Sequence, residues 1–371
     1  MKSLAIIGST GSIGKSALNI YKKNRNQFNL VLLAANQNYK KLIKQNSIYR
    51  PKHLILFDKK KKNFIKKNKF FIDPELFLKN TKKIDYVISG VSGYDAIKLN
   101  FKLIKISKNL LIANKETLIC GNQFFLNTAK KNNCKILPID SEHYCINYLL
   151  KFFSLKNNIN KIYISASGGP FLRKKINYKE KISNVLKHPT WKMGKVITVN
   201  SSTFANKVLE MFEAKILFNL KKNQLNLIVE ETSNVHAIVL LKNSLLIPIV
   251  HKPSMEIAIS NSLNLENFYF TKLKNLKFHF IKPDSNKFPL IKLGYNILEK
   301  YGDIGMILFT VINERLVNLY LLKAINYGDI SLFLVRFFKR NDIKELSKKK
   351  IKSINDIYKI IDFANSICIK F

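Results

Sequence analysis

Residues 3–22 read SLAIIGSTGSIGKSALNIYK, and this stretch decides the fold of the N-terminal part of the chain. Ser3 to Ile7 is a short apolar run suited to a buried strand. The loop Gly8-Ser-Thr-Gly11-Ser-Ile-Gly14 follows, and the spacing predicts a helix from about Ile13 to Lys22. Strand, glycine loop and helix in succession form the context in which glycines let a backbone approach a pyrophosphate at a helix N-terminus. The spacing is GxxGxxG rather than GxGxxG, so the loop by itself also fits a glycine turn of any α/β protein.

Leu30 to Ala34 reads as the second strand. A cofactor with a free ribose 2′-hydroxyl would meet Asp or Glu at its end. Here Ala34-Ala-Asn-Gln-Asn38 carries no carboxylate, which favours NADPH, and Lys40 and Lys41 lie close enough in sequence to pair with its 2′-phosphate. Further strands are expected at Leu54 to Phe57, Tyr86 to Ser89, Asn109 to Ala113 and Lys135 to Ile139. Helical patterns between them complete a doubly wound sheet. Asn114-Lys-Glu116 and Asp140-Ser-Glu142 each follow a strand directly, at the edge where ligands bind in such sheets. In an extended segment Asp140 and Glu142 face the same way, and paired carboxylates suit Mg²⁺ or Mn²⁺. An acidic cap on a helix from His143 to Lys151 fits the same residues. The lysines of Lys59 to Lys62 and Lys66 to Lys69 read as exposed loop or helix charge.

Lys161 to Ser165 is another strand, and Ala166-Ser-Gly-Gly-Pro170 is a turn that offers N–H groups and the Ser167 hydroxyl. The polar segment from Phe171 leads into His188-Pro-Thr-Trp-Lys-Met-Gly194, read as a lid. Val196 to Val199 is β-branched and predicts a short strand. Asn200 or Ser201 is then the expected N-cap of a helix from Ser202 to Phe218. Phe204, Val208, Met211 and Phe212 share one face; Thr203, Asn206, Lys207 and Glu210 share the other. That second face is either ordinary solvated surface or a phosphate site at a helix start, with Glu210 holding a cation. Strands at Asn226 to Val229, Val235 to Leu241 and Ser244 to Val250 suggest a second sheet with a hairpin at Lys242-Asn243.

The resulting class is α/β. A Rossmann-like NADPH-binding domain spans 1–140. A central α+β catalytic domain spans 141–272, with a second sheet and a lid at about 171–195. A linker covers 273–288 and a helical domain covers 289–371. The 371 residues and 47% apolar content suffice for such cores. The net charge of +40 comes from 64 basic and 24 acidic residues, with only six arginines among the basic ones. Lysine scattered along the chain reads as solvated surface rather than a nucleic-acid footprint, which favours arginine forks and clusters. Neither nucleic acid nor membrane is expected as a partner, since no run reaches the roughly 18 apolar residues of a membrane span. Cys120, Cys134, Cys145 and Cys368 form no CxxC pair, which suits a reducing cytoplasm.

GSTGSIG, ANKETL, PIDSEH, SASGGPF, HPTWKMG, NSSTFANKVLEMFEA and Asn313-Glu314 occur in the order found in the 1-deoxy-D-xylulose 5-phosphate reductoisomerase family, which the chain resembles over nearly its whole length. The resemblance implies a metal-dependent rearrangement of 1-deoxy-D-xylulose 5-phosphate and its NADPH-dependent reduction to 2-C-methyl-D-erythritol 4-phosphate, a step toward isoprenoid precursors. It implies Asp140, Glu142 and Glu210 as metal ligands, with Mg²⁺ or Mn²⁺ as the ion. Lys115, Ser141 and Glu142 would meet the substrate hydroxyls. Ser167, His188, Ser201, Asn206 and Lys207 would hold the phosphate. Thr10, Gly11, Ser12, Ile13, Asn36, Gln37, Asn38, Asn114, Glu116 and Gly194 would meet the cofactor. Trp191 and Met193 would belong to the lid, and a homodimer through the second sheet is implied. The chain departs from the family pattern at Asn200 (usually Asp), at Val208 (usually Gly), at Glu230-Glu-Thr-Ser233 (usually His-Pro-Gln-Ser) and around Gln37, where small residues are usual. Two other classes stay open at this point: a different NADPH-dependent oxidoreductase with the same first domain, which would need no metal, and a basic nucleic-acid-binding protein. The missing carboxylate after the second strand predicts that NADPH is used well ahead of NADH; steady-state specificity constants with both cofactors check it.

Overall fold

The structure, a computed structural model, describes residues 1–58, 71–152, 158–191, 193–266 and 277–369. The lysine runs at 59–62 and 66–69 lie outside the described residues. The chain divides into two compact units. Met1–Thr117, Phe125–Tyr144 and a segment beginning at Ser254 make up the first; Leu118–Phe124, Cys145–Pro253 and the C-terminal segment make up the second.

In the first unit six parallel strands run β1 (Lys2–Ile7), β2 (Phe28–Ala35), β3 (His53–Leu56), β4 (Ile84–Ser89), β5 (Ser107–Ile112) and β6 (Lys135–Pro138). Their order is β3-β2-β1-β4-β5-β6, the doubly wound order whose direction reverses between β1 and β4. These strands read as continuous apolar runs because helices cover both faces of a parallel sheet. Leu4, Ile6, Phe28, Leu33 and Ile88 form the core with Leu18 of the helix Ser12–Lys23. Ile259 and Leu263 belong to the same core. They lie on and just after the helix Met255–Ser262, so residues that the sequence assigns to the domain 141–272 return to the first unit. An apolar helix face shows that a helix is buried, but not in which core.

The second unit has a five-stranded mixed sheet. Its strands are β7 (Ile159–Ala166), β8 (Leu225–Glu230), β9 (Val235–Leu241), β10 (Leu246–Val250) and β11 (Phe280–Ile281), ordered β10-β9-β7-β8-β11. Strand β11 lies inside the expected linker 273–288 and pairs with β8, Phe280 opposite Glu230 and Ile281 opposite Val229. Two residues are too short a run to show a period. The hairpin at Lys242-Asn243 is present, but β10 starts at Leu246 because Ser244 turns through φ 70°. The helices Gly302–Leu321, Tyr327–Phe337 and Ile354–Ser366 dominate the C-terminal region. Contrary to the sequence reading, one helical run among the described residues, Pro289–Leu321, is long and apolar enough to cross a membrane; 72% of its apolar window is buried inside the protein, as in a core helix.

The stretch 195–218 also departs from expectation. Val196 to Val199 is not a strand but part of the helix Lys195–Ser202, whose start is tied by the Thr198 hydroxyl donating to the Gly194 carbonyl at 2.9 Å. Packing overrides the β-branched preference of these residues. Phe204 then takes φ 63° and separates this helix from Ala205–Phe218, so the N-cap position falls at Phe204 and not at Asn200 or Ser201. Val208 has a local explanation: a Cβ on Gly294 would stand 2.7 Å from its Cγ1, so the glycine makes the room that the valine fills.

The glycine loop is set by backbone contact. A Cβ on Gly14 would lie 2.4 Å from both the Gly8 carbonyl oxygen and the Ser9 Cα. These are backbone atoms that no side-chain rotation can move. Gly14→Ala should cost about 1–3 kcal/mol as overpacking and weaken NADPH binding together with stability; thermal melts and cofactor titration check both.

Candidate active site

At the carboxyl end of β1, the N–H groups of Gly8 and Ser9 both donate to the Ala34 carbonyl at 2.9 Å. Gly8 sits at φ 83°. Gly11 stands at the N-cap of Ser12–Lys23 with no side chain bonded to the first turn, which leaves those N–H groups for an anion. The Ser9 hydroxyl donates to Gln45 Oε1 at 2.7 Å, and Gln45 Nε2 returns a bond to the Ser9 carbonyl at 2.9 Å. Lys41 Nζ donates to the Thr10 carbonyl at 2.9 Å. The close approach of Lys15 holds it below the usual lysine value, with desolvation and the Lys15 charge adding to the effect. Two ammonium groups beside a glycine loop suit phosphate. Asn38 caps the helix Tyr39–Tyr49 by accepting the Lys41 N–H at 3.1 Å. Ile13 packs so closely that a Cβ on Gly90 would meet its own Cβ at 3.1 Å. Asn36 and Gln37 lie just past the end of β2; the Asn36 carbonyl accepts the N–H of Asp58, a carboxylate-bearing residue that the sequence reading of this edge missed.

At the end of β5, Asn114 caps the helix Lys115–Lys131, accepting the Thr117 N–H at 2.6 Å and donating to the Gly93 carbonyl and to Glu116, each at 3.0 Å. At the end of β6, Asp140 directly precedes the helix Ser141–Phe152. Its carboxylate accepts from the Lys115 ammonium and lies 3.2 Å from His143 Nδ1. Burial pushes the Asp140 carboxyl up, but Lys115 and His143 outweigh it and hold the group well below the usual carboxylate range. Burial raises the Glu116 carboxyl. The Ser141 hydroxyl donates to Glu142. Contrary to expectation Asp140 and Glu142 do not share an extended segment: the helix begins at Ser141 rather than His143, so Asp140 precedes its first turn and Glu142 lies in it, and both offer hard oxygen donors.

The second unit holds the other group. His188 Nε2 lies 3.1 Å from both Ser167 Oγ and Ser201 Oγ. Its Nδ1 accepts the N–H groups of Thr190 at 3.2 Å and Trp191 at 3.0 Å, which puts the ring proton on Nε2. Burial, with the Lys207 charge adding to it, lowers His188 to about 4. Asn206 Nδ2 and Lys207 Nζ donate to the two oxygens of Glu210 at 2.6 and 2.7 Å. Lys207 and Glu210 are buried, so the face drawn from sequence is polar but not solvated. Gly169, at φ 65°, brings the Ser-Gly-Gly turn against Ser201; a Cβ there would stand 3.0 Å from the Ser201 carbonyl. Gly194 is exposed at the N-cap of Lys195–Ser202. Two further residues, Thr190 and Ser233, lie in stretches the sequence singled out but were given no role there; their hydroxyls meet at 3.1 Å.

Three family models match successive parts of the chain. One describes 1-deoxy-D-xylulose 5-phosphate reductoisomerase and covers residues 4–122. Two describe C-terminal domains of that enzyme and cover 136–218 and 250–366. The reductoisomerase of Pelagibacter ubique is 37% identical, with 98% of each chain aligned. That of Clostridium novyi is 34% identical, with 96% of each aligned. Among solved structures, a reductoisomerase in complex with NADPH, fosmidomycin and magnesium gives a TM-score of 0.89 at 25% identity, over 99% of this chain and 98% of that one.

The depressed His188 value has a direct consequence. A group bound as the neutral form contributes stability that is present above its unfolded value of 6.5 and lost as pH falls toward about 4. Nitrogen-15 chemical shifts of the labelled histidines should therefore place the His188 midpoint near that value, well below a free imidazole.

Proposed function

The chain belongs to the 1-deoxy-D-xylulose 5-phosphate reductoisomerase family, and from that premise we propose how its own residues convert 1-deoxy-D-xylulose 5-phosphate to 2-C-methyl-D-erythritol 4-phosphate. The observation that carries the reading is the cluster around His188: a neutral ring N–H beside two serine hydroxyls, under the charge of buried Lys207. Such a set recognises a phosphate dianion. Asn206 and Lys207 complete it. In the structure both donate to Glu210. Passing those donors to the phosphate releases a buried carboxylate that needs a new positive partner.

Asp140, Glu142 and Glu210 supply that partner's ligands. Carboxylate oxygens are the donors that Mg²⁺ and Mn²⁺ take, and Asp140 is held ionised. Bound there, the ion supplies Lewis-acid polarisation of neighbouring sugar oxygens, and NADPH supplies the hydride. Lys115 and Ser141 donate to the substrate hydroxyls and orient them. Lys115 also balances Asp140 before the substrate arrives. The uncapped helix start at Gly11 and the Lys15–Lys41 pair receive the cofactor phosphates. Thr10, Ser12, Ile13, Asn36, Gln37, Asn38, Asn114, Glu116 and Gly194 line its path. His188 to Trp191, with Met193 and Gly194, close over the sugar and keep water from the aldehyde. A homodimer through the second sheet is supported by the edge position of β10 and by Leu245 and Leu246, 59% and 60% exposed. Cysteines that form no disulfide among the described residues suit a reducing cytoplasm.

NADPH consumption with 1-deoxy-D-xylulose 5-phosphate, with and without Mg²⁺, tests the reading; no turnover under either condition rejects it. Asp140→Asn, Glu142→Gln and Glu210→Gln should each nearly abolish turnover while NADPH still binds. Lys207→Ala removes a charge-assisted hydrogen bond worth roughly 1.5–3 kcal/mol, or about one to two decades in affinity. The loss should appear with the phosphorylated sugar and largely vanish with its dephosphorylated form.

A further inference from the structure

The loop between β8 and β9 begins at Glu230, which is 1% exposed. Among the described residues no lysine or arginine pairs with it. Its carboxylate instead accepts the N–H groups of Thr232, Asn234 and Val235 at 3.0, 3.0 and 3.2 Å, and the Thr232 hydroxyl at 2.9 Å. Charge-assisted bonds to a ring of backbone donors stabilise a buried anion without a counter-ion. The loop they close holds Ser233 at φ 58°. In that conformation Ser233 Oγ lies 3.1 Å from Thr190 Oγ1. Thr190 is one of the two residues whose N–H groups donate to His188 Nδ1. A second tether runs from the same loop: Arg173 grips Glu231 through two nitrogens, Nε at 3.0 Å.

We propose that Glu230 and Ser233 are positioning residues for the phosphate end of the site. They hold the 188–191 turn, and through it they keep the His188 proton on Nε2, facing Ser167 and Ser201. The proposal rests on the reading that these three residues receive phosphate. The chemistry makes the tautomer matter. With the proton on Nε2 the ring donates to an anion; with the proton on Nδ1 it presents a lone pair and repels one. Glu230 stands where the family pattern has histidine, so this support belongs to this chain.

The test uses the full chain labelled with nitrogen-15 histidine, with His188→Gln to identify the resonance. Wild type should show Nδ1 bare and Nε2 protonated. Ser233→Ala and Thr190→Val should each give the averaged shifts of a mixed tautomer. Each should weaken inorganic phosphate binding about tenfold, the loss of one hydrogen bond to a charged group, read by Trp191 emission or calorimetry, with thermal midpoints near wild type. The double variant should be no worse than the more damaging single one, because both break one link. Glu230→Gln should fall between wild type and Glu230→Ala in tautomer purity. An unchanged His188 tautomer in Ser233→Ala overturns the proposal. If wild type binds no phosphate but the tautomer still depends on Ser233, the phosphate reading fails and the positioning role stands.

Discussion

The site depends on one backbone break. Phe204 takes a left-handed conformation that costs a residue with a Cβ roughly 1–2 kcal/mol. Its ring is buried against Phe288, with centroids 4.4 Å apart. Burying such a side chain contributes about 1.5–3 kcal/mol. The burial is large enough to hold the break. One helix therefore ends at Ser202 and another begins at Ala205. Ser201 leaves the first in contact with His188, while Asn206, Lys207 and Glu210 enter from the second. In a continuous helix Ser201 and Asn206 would sit on different faces.

The charges divide into two populations. Most of the excess lysine is solvated and weakly coupled, as expected of exposed ammonium groups. Lys115, Asp140, Lys207, Glu210 and Glu230 are different, because all are mostly or wholly out of water. Burying a charge is costly unless bonds or counter-charges compensate. Each of these has such partners, and they gather at strand ends and at the helix break. Asp140 stays ionised despite burial, and His188 stays neutral because of it. Those protonation states give the first unit an anionic oxygen donor at Asp140 and the second a hydrogen-bond donor beside a cation.

Three departures from the family pattern have local accommodations. Val208 fills space that Gly294 leaves open. Asn200 accepts from Asn313 Nδ2 at 2.9 Å, so a neutral amide pair stands where the family usually has an aspartate. Glu230 satisfies its own buried carboxylate with the loop it begins. In each case the altered residue is answered within the same unit by a group far off in sequence or by backbone.

The sequence by itself determined the parallel sheet and its ligand edge, since strand periodicity, the glycine loop and the residues after β1, β5 and β6 are local features. It also singled out Asp140, Glu142, Lys207 and Glu210 as candidate site residues, because their types and the motifs around them lie within a few positions. Only the tertiary structure decided the rest. Val196 to Val199 is helical because its packing outweighs a weak β preference. Residues 255–263 join the first core because an amphipathic face carries no address. Phe280–Ile281 forms a strand because β8 offers it an edge. Thr190 and Ser233, 43 residues apart, meet because a buried carboxylate bends a loop toward a turn. Local preference is worth fractions of a kcal/mol per residue, and burial several times that. Burial therefore decides the conformation wherever it and local preference disagree.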